Sequence, residues 1–124
     1  MNLLLDTHTL LWWLDAPESL SERATNAIAD PNNWVILSAV VVWECRIKEA
    51  LGKLTLPENF AEVLAAEPFR ALDITTPHAH GVSTLEFVHR DPFDRLLVSQ
   101  ARHEGLTLVT RDEVLSKYPI DTLW

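Results

Sequence analysis

Four acidic residues stand where predicted strands and helices meet, and this placement is the feature of the sequence that most suggests chemistry. They are Asp6, Glu44, Asp94 and Asp112. Carboxylates that gather in one cleft cannot all stay ionised without a counter-charge. Mg²⁺ supplies that charge, because it prefers carboxylate oxygens, waters and phosphate oxygens as ligands. Such a site can activate a water for an in-line displacement, so the pattern favours phosphodiester hydrolysis.

Each of these acids also has a purely structural explanation. Asp6 can cap the helix that follows it, and Glu44 can be a solvated helix residue. Asp94 favours the helix dipole from its place in a first turn, and Asp112 can be an ordinary turn residue. Asp91 differs from them, because N-capping of the same helix explains it fully. The prediction therefore depends on the set of four and not on any single acid.

Short apolar runs predict the strands that would position these acids. The strands are expected at Asn2–Leu5, Trp34–Leu37, Arg70–Ile74 and Leu106–Val109, with a weak edge strand at Ile120–Leu123. Ligands of an open α/β sheet bind outside the carboxyl ends of the strands. If the first and fourth strands are neighbours, Asp6 and Asp112 meet at one edge. Glu44 and Asp94 then approach them from flanking helices.

Helix start and stop signals separate the predicted strands. Ser19 and Glu22 resemble a capping box, Ser38 is a predicted N-cap, and Gly105 is a stop signal. Thr76-Pro77 and Asp91-Pro92 each fit an N-cap followed by a proline. The expected helices are Thr7–Leu14, Glu22–Ala29, 39–51, Pro57–Ala66, 77–85 and 92–104, with a short helical turn at Asp112–Ser116. This alternation predicts an α/β fold, a parallel sheet of four to five strands flanked by helices.

Length and composition predict one domain over residues 1–124 in the cytoplasm. The single cysteine, Cys45, excludes an intramolecular disulfide and favours a reducing compartment. Asp6 and His8 interrupt the apolar N-terminus, which argues against a signal peptide, and no apolar run approaches the roughly 20 residues that span a bilayer. The net charge of −8 argues against a module that grips nucleic acid by charge alone. Bound divalent cations would reverse the local charge of an acidic cleft.

Four stretches of the chain resemble the PIN-domain family, and most of all its VapC-type toxin branch. The resemblance covers almost the whole chain, and the HRDPFDR segment and the initial LLDTH are distinctive together. The stretches are LLLDTHTLLWWL (3–14), SAVVVWECRIKEALGKL (38–54), HRDPFDRLLVSQA (89–101) and LTLVTRDEVLSKYP (106–119). The family implies a metal-dependent ribonuclease using Mg²⁺ or Mn²⁺, a homodimer, and a cognate antitoxin protein that binds tightly.

The resemblance also implies site residues, position by position. Asp6, Glu44, Asp94 and Asp112 match the four family acids, which implies that they form the catalytic and metal-binding set. Thr110 matches the threonine of a threonine-x-aspartate motif, and Asp91 belongs to the signature of the branch. Cys45 and Arg46 stand where an aliphatic and a small residue are expected, which makes the surface beside Glu44 unusual.

Several other residues have two interpretations. Arg95 can touch a phosphate or pair with an acid, and Lys48, one helical turn from Glu44, can pair with it or meet substrate. The five histidines lack a metal-ligand spacing and are interpreted as structural or surface residues, with His89 the main exception. Trp12 and Trp13 lie about 100° apart on a helix, so one is expected in the core, and the other is either exposed at a surface suited to a protein partner or also buried.

Three other classes of protein share parts of this pattern. A phospho-receiver domain would have a second acid beside Asp6 and a lysine near Asp112, and this chain has Thr7 and Arg111 there. A haloacid-dehalogenase-type phosphatase would have an aspartate where His8 stands. A non-catalytic PIN-like module that binds RNA or protein is the remaining alternative, and the presence of all four acids argues against it.

Overall fold

Five parallel strands form one sheet in the computed structural model, which describes residues 1–124. The strands are β1 (Asn2–Leu5), β2 (Trp34–Ser38), β3 (Arg70–Leu72), β4 (Thr107–Val109) and β5 (Thr122–Leu123). Their order across the sheet is β3-β2-β1-β4-β5. The predicted neighbourhood of the first and fourth strands is therefore confirmed, and Leu5 lies in register with Val109.

The central position of β1 explains its apolar sequence. Leu3, Leu4 and Leu5 are fully buried, as expected for a parallel strand that is covered on both faces. They belong to a core cluster of 20 residues to which helices contribute Leu10, Val40 and Leu97 among others. At the carboxyl edge of β1 the buried residues change from apolar to polar, with Asp6 and Thr7, and this change marks the candidate site.

Six α-helices flank the sheet. They are α1 (Thr7–Asp15), α2 (Glu22–Ala29), α3 (Ala39–Ala50), α4 (Phe60–Ala65), α5 (Thr76–Gly81) and α6 (Pro92–Glu104). Short 3₁₀ turns occur at Pro17–Ser19, Val82–Thr84 and Leu115–Lys117. None of the helices combines the length and the apolar character that crossing a membrane requires.

The predicted caps of the two helices that carry site residues are confirmed. The Ser38 side chain accepts a hydrogen bond from the backbone N–H of Val40 at the start of α3. Asp91 caps α6, and Gly105 ends it with φ of 67°, a left-handed conformation that suits glycine.

Other predicted boundaries were wrong by one to a few residues. Ser19 lies in a 3₁₀ turn, and Ser21 caps α2 by accepting from the backbone N–H of Ala24. Thr75, not Thr76, caps α5, because its side chain forms a capping box with His78.

The bounds of several elements also differ from the predicted ones. The helix expected over Pro57–Ala66 begins only at Phe60, and β3 ends at Leu72 instead of Ile74. Helix α5 ends at Gly81, before the 3₁₀ turn at 82–84. The helical turn expected at Asp112–Ser116 lies at Leu115–Lys117, and the edge strand is the short β5.

The two adjacent tryptophans face different surroundings, but both are half-buried, so neither the expected core placement nor the expected exposed one is seen. Trp13 packs against the core cluster, and its indole N–H donates to Glu67 over 3.3 Å. Trp12 stacks on His8 and tilts against Trp124. Neither ring is fully buried.

Candidate metal centre

Asp6 occupies the junction of β1 and α1. Its backbone adopts an extended conformation, and Oδ1 accepts a 2.8 Å hydrogen bond from the backbone N–H of Thr9. The carboxylate therefore caps α1, as one of its interpretations predicted. It is also buried, with 6% of its surface exposed, and burial raises its pKa, although hydrogen bonds from Thr110 and Thr9 act in the opposite direction. A cap that served the helix alone would not need a buried charge.

Glu44 projects from α3 and is buried, with 4% of its surface exposed. The hydroxyl of Thr7 donates a 2.6 Å hydrogen bond to its Oε1, and Nζ of Lys48 lies 2.7 Å from its Oε2. This hydrogen bond to the Glu44 carboxylate raises the pKa of Lys48. The predicted Glu44–Lys48 pair is confirmed, and the solvated placement of Glu44 is excluded.

Two aspartates at the start of α6 make different contacts. Asp91 Oδ1 accepts hydrogen bonds from the backbone N–H groups of Phe93, at 2.8 Å, and Asp94, at 3.2 Å. The side chain of Asp94 makes no such capping bond, and its Oδ2 lies 3.4 Å from Nε2 of His89. The cap role of Asp91 is confirmed, and Asp94 remains available to a ligand.

Asp112 lies in the loop after β4. Its backbone N–H donates to the hydroxyl of Thr110 over 3.1 Å, and its Oδ1 accepts from the backbone N–H of Val114 at 2.9 Å. Oδ2 is 3.2 Å from Nε2 of His89. Thr110 is buried, and its side chain lowers the pKa of Asp6. Thr110 therefore lies beside both of the acids that follow neighbouring strands.

The electrostatics of Asp94 indicate that the acids converge. The pKa of Asp94 is raised from 3.8 to about 7, first by burial and then by the negative charges of Asp91, Glu44 and Asp6, while His89 opposes the shift. Ligand atoms of His89, Asp94 and Asp112 all lie within 4.8 Å of one another. The four predicted acids therefore surround one region at the carboxyl edge of β1 and β4.

The donor set of this region fits a hard divalent cation. It consists of carboxylates, and the pKa of Asp94 is raised first by burial and then by the negative charges of its acidic neighbours, which a bound cation would offset. Mg²⁺ and Mn²⁺ prefer such oxygen ligands over sulfur. Cys45 adjoins Glu44 in sequence, but burial raises the pKa of its thiol to about 11, so it stays protonated and is a poor nucleophile.

Arg95 does not pair with an acid, which is one of the two contacts that the sequence suggested. Its guanidinium is buried and donates to the carbonyl oxygens of Glu86, at 2.9 Å, and Val82, at 3.3 Å. It also donates to the hydroxyl of Tyr118 at 3.3 Å. No carboxylate lies within salt-bridge distance of Arg95. Arg95 therefore stabilises the segment 82–86, which precedes α6, through hydrogen bonds to its backbone.

Two participants, Thr7 and Tyr118, were missed in the sequence. Thr7 follows Asp6 directly and contacts Glu44, and the adjacent polar pair after an apolar strand was an available signal. The hydroxyl of Tyr118 accepts a 2.9 Å hydrogen bond from the backbone N–H of His89. No local pattern pointed to Tyr118, because its partner lies 29 residues earlier in the chain.

Comparison with known proteins identifies relatives over nearly the full chain. A family model described as PIN domain matches residues 3–121. Ribonuclease VapC22 of Mycobacterium tuberculosis (strain ATCC 25618 / H37Rv) is 30% identical over 126 aligned residues, which cover 94% of this chain and 92% of that protein.

Solved structures show the same fold at lower identity. VapBC2 from Rickettsia felis, bound to a DNA fragment from its promoter, matches with a TM-score of 0.76 at 18% identity and covers 100% of this chain and 99% of that chain. DNA-bound VapBC from Salmonella typhimurium matches with a TM-score of 0.70 at 20% identity and covers 99% and 97%. These likenesses extend over the entire sheet and its helices.

Proposed function

This chain belongs to the PIN-domain family, and we propose that it is a metal-dependent ribonuclease that acts as the toxin of a toxin–antitoxin pair. The observation that carries the proposal is the convergence of Asp6, Glu44, Asp94 and Asp112, with the pKa of Asp94 raised to about 7. The 30%-identical relative is named a ribonuclease, which supports RNA as the substrate class.

We assign the metal to Asp6, Asp94 and Asp112, with Glu44 completing the acidic set. A divalent cation bound there would polarise the phosphodiester and lower the pKa of an attacking water. The contacts of three of these acids hold their carboxylates in place. Asp6 is held by its capping bond, and Glu44 is held by Thr7 and Lys48. Thr110 holds the turn that carries Asp112. The pKa of Asp94, raised to about 7, leaves its carboxylate partly protonated near neutral pH, and a bound cation would supply the counter-charge in place of that proton.

Mg²⁺ is the proposed cofactor, and Mn²⁺ should substitute for it. Both ions accept carboxylate and water oxygens. Because RNA is the substrate and the lone cysteine is a buried free thiol, we also propose that the protein works in the cytoplasm.

The proposed partner is a small basic antitoxin. The chain has a net charge of −8, and an arginine from an inhibitor could enter the acidic cleft and form charge-assisted hydrogen bonds. Structural relatives that are VapBC proteins support this assignment. The toxin itself is proposed to be a homodimer. Co-expression with the small protein encoded beside it should relieve growth inhibition and yield a stable complex, whereas harmless expression alone would contradict the toxin role.

An RNA-cleavage assay tests the enzymatic part of the proposal. Purified, antitoxin-free protein should cleave a structured RNA with Mg²⁺ or Mn²⁺ and stop when EDTA is added. Asp94→Asn should be inactive, whereas Asp121→Asn is a matched control, because Asp121 is exposed and precedes β5 at the opposite edge of the sheet. Equal cleavage in EDTA would contradict the mechanism. Metal binding without cleavage of any RNA would favour the non-catalytic alternative.

A further inference from the structure

His89 lies between two of the proposed metal ligands, and its role is not explained by the proposed chemistry. Its Nε2 is 3.2 Å from Oδ2 of Asp112 and 3.4 Å from Oδ2 of Asp94. The side chain is partly buried, with 22% of its surface exposed. A histidine in this place can either ligate the metal or orient the residues that do. Which of these roles His89 has depends on which of its two ring nitrogens carries the proton.

The backbone of Asp91 determines the tautomer of His89. The backbone N–H of Asp91 donates a 3.1 Å hydrogen bond to Nδ1 of the ring. A neutral imidazole has one donor nitrogen and one acceptor nitrogen, so Nδ1 is the acceptor and Nε2 bears the proton. The Nε2–H group therefore points toward the carboxylates of Asp94 and Asp112.

The main chain of His89 is anchored as firmly as its ring. Its backbone N–H donates to the hydroxyl of Tyr118 over 2.9 Å, and Tyr118 is buried. Arg95 donates to the same hydroxyl at 3.3 Å and to the carbonyl oxygen of Glu86 at 2.9 Å. The ring is therefore held in place by Asp91 on one side and by Tyr118 through the backbone.

The two carboxylates depend on this contact to different degrees. Oδ1 of Asp112 accepts from the backbone N–H of Val114, but Oδ2 has His89 as its hydrogen-bond donor. The side chain of Asp112 is 39% exposed on a loop. Asp94 makes no hydrogen bond through its side chain, and the nearest ring nitrogen is Nε2 of His89, 3.4 Å from its Oδ2. Without His89, the separation of these two carboxylates would be set by the backbone alone.

We propose that His89 is a positioning residue, whose Nε2–H sets the carboxylates of Asp94 and Asp112 for the cation without itself binding the cation. This inference rests on the proposed metal-dependent function. Direct ligation through Nε2 would require the proton to move to Nδ1. The Nδ1–H group would then face the backbone N–H of Asp91, and these two donors cannot form a hydrogen bond with each other. Histidines that bind metals instead donate their second N–H to an acceptor.

Manganese binding, measured by calorimetry, tests the inference without relying on activity. His89→Leu should weaken Mn²⁺ binding by about tenfold to a hundredfold, the range for residues that orient metal ligands. His89→Gln should recover most of that affinity, because its amide nitrogen can donate from about the position of Nε2. His80→Gln is the matched control, since His80 is exposed and lies on α5, and it should bind as the wild type does.

Two spectroscopic measurements on the wild type keep the inference testable even if His89→Leu does not fold. Imidazole ¹⁵N shifts, assigned by the signal that His89→Gln lacks, should show the Nε2–H tautomer with and without Mg²⁺. Electron spin-echo spectra of the Mn²⁺ complex should show no directly bound nitrogen. A directly bound nitrogen, or a shift of the proton to Nδ1 on metal binding, would overturn the positioning role.

The calorimetric outcomes also separate this inference from the proposed function. If the wild type binds Mn²⁺ and His89→Leu binds it equally well or more tightly, the positioning role is wrong while the metal-dependent function stands. If the wild type binds no Mn²⁺, both are wrong.

Discussion

The hydroxyl of Thr7 donates a 2.6 Å hydrogen bond to Oε1 of Glu44, and both side chains are buried. This bond joins the first residue of α1 to the middle of α3. Because the acceptor is a buried carboxylate, Thr7→Val should lower the free energy of unfolding by about 1.5–3 kcal/mol. Urea unfolding in EDTA measures the effect.

Thr7→Ser is the control for this prediction, because it keeps the hydroxyl and loses a methyl group. It should retain most of the free energy of unfolding that Thr7→Val loses. A Thr7→Val protein as stable as the wild type would show that Glu44 does not depend on this bond.

The two aspartates at the start of α6 should respond differently to the same substitution. Asp91→Asn should stay within about 0.5 kcal/mol of the wild-type stability, because asparagine caps a helix about as well as aspartate, and it should keep measurable activity. Asp94→Asn should fold and lose more than about a hundredfold in cleavage rate, beyond the range for a residue that only orients ligands. Thermal melts and cleavage rates at saturating metal measure both effects.

The reverse result, an inactive Asp91→Asn and a nearly normal Asp94→Asn, would exchange the two assignments. If both variants fold and neither cleaves, Asp91 belongs to the catalytic set.

Stability of the metal-free protein should depend on pH through Asp94. Its pKa is raised from 3.8 to about 7, so between these values the folded chain holds a proton that the unfolded chain has released. The stabilisation from this group is therefore present below about pH 4 and is lost as the pH rises through about 7. Relative to Asp94→Asn, the wild type in EDTA should lose free energy of unfolding across this window.

Urea unfolding of both proteins at several pH values checks the prediction. The difference between the two free energies of unfolding removes the contribution of the titratable groups that the two proteins share. Saturating Mg²⁺ should remove most of the difference in slope, because the cation replaces the proton as the counter-charge. A wild type that gains stability relative to Asp94→Asn as the pH rises would contradict the raised pKa.

Arg95 should matter for stability more than for substrate binding. Its guanidinium donates to the carbonyl oxygens of Glu86 and Val82 and to the Tyr118 hydroxyl. Arg95→Met keeps an apolar stem but leaves these acceptors without their donor, which should cost about 1–3 kcal/mol. Thermal melts measure the loss, and Arg90→Met, at an exposed position nearby, should melt normally. An unchanged melt with a raised KM for RNA would instead assign Arg95 to phosphate binding.

The parts of this site that could be predicted are those determined locally. Asp91 is followed by a proline, so its cap role follows from a short pattern. Asp6 follows a run of three leucines, so its place at the end of a central strand follows from burial. In both cases the residues that determine the structure are adjacent in the sequence.

The parts that were missed depend on contacts between distant segments. Thr7 and Glu44 are 37 residues apart, and His89 and Tyr118 are 29 apart, so no periodicity relates them. The choice of Ser21 over Ser19 as the cap of α2 depends on the 3₁₀ turn at 17–19. Two serines only two positions apart have equal capping strength and cannot be distinguished by propensity alone.

The strand order has a consequence for the timing of synthesis. β1 is made first, yet one of its two neighbours in the sheet is β4, and the hydroxyl of Thr9 donates to the carbonyl oxygen of Val109, 100 residues later. A growing chain on the ribosome therefore has Asp6 and Glu44 long before it has Asp112. The acid set cannot assemble until translation has passed β4, so the proposed metal site stays incomplete during most of the chain's own synthesis.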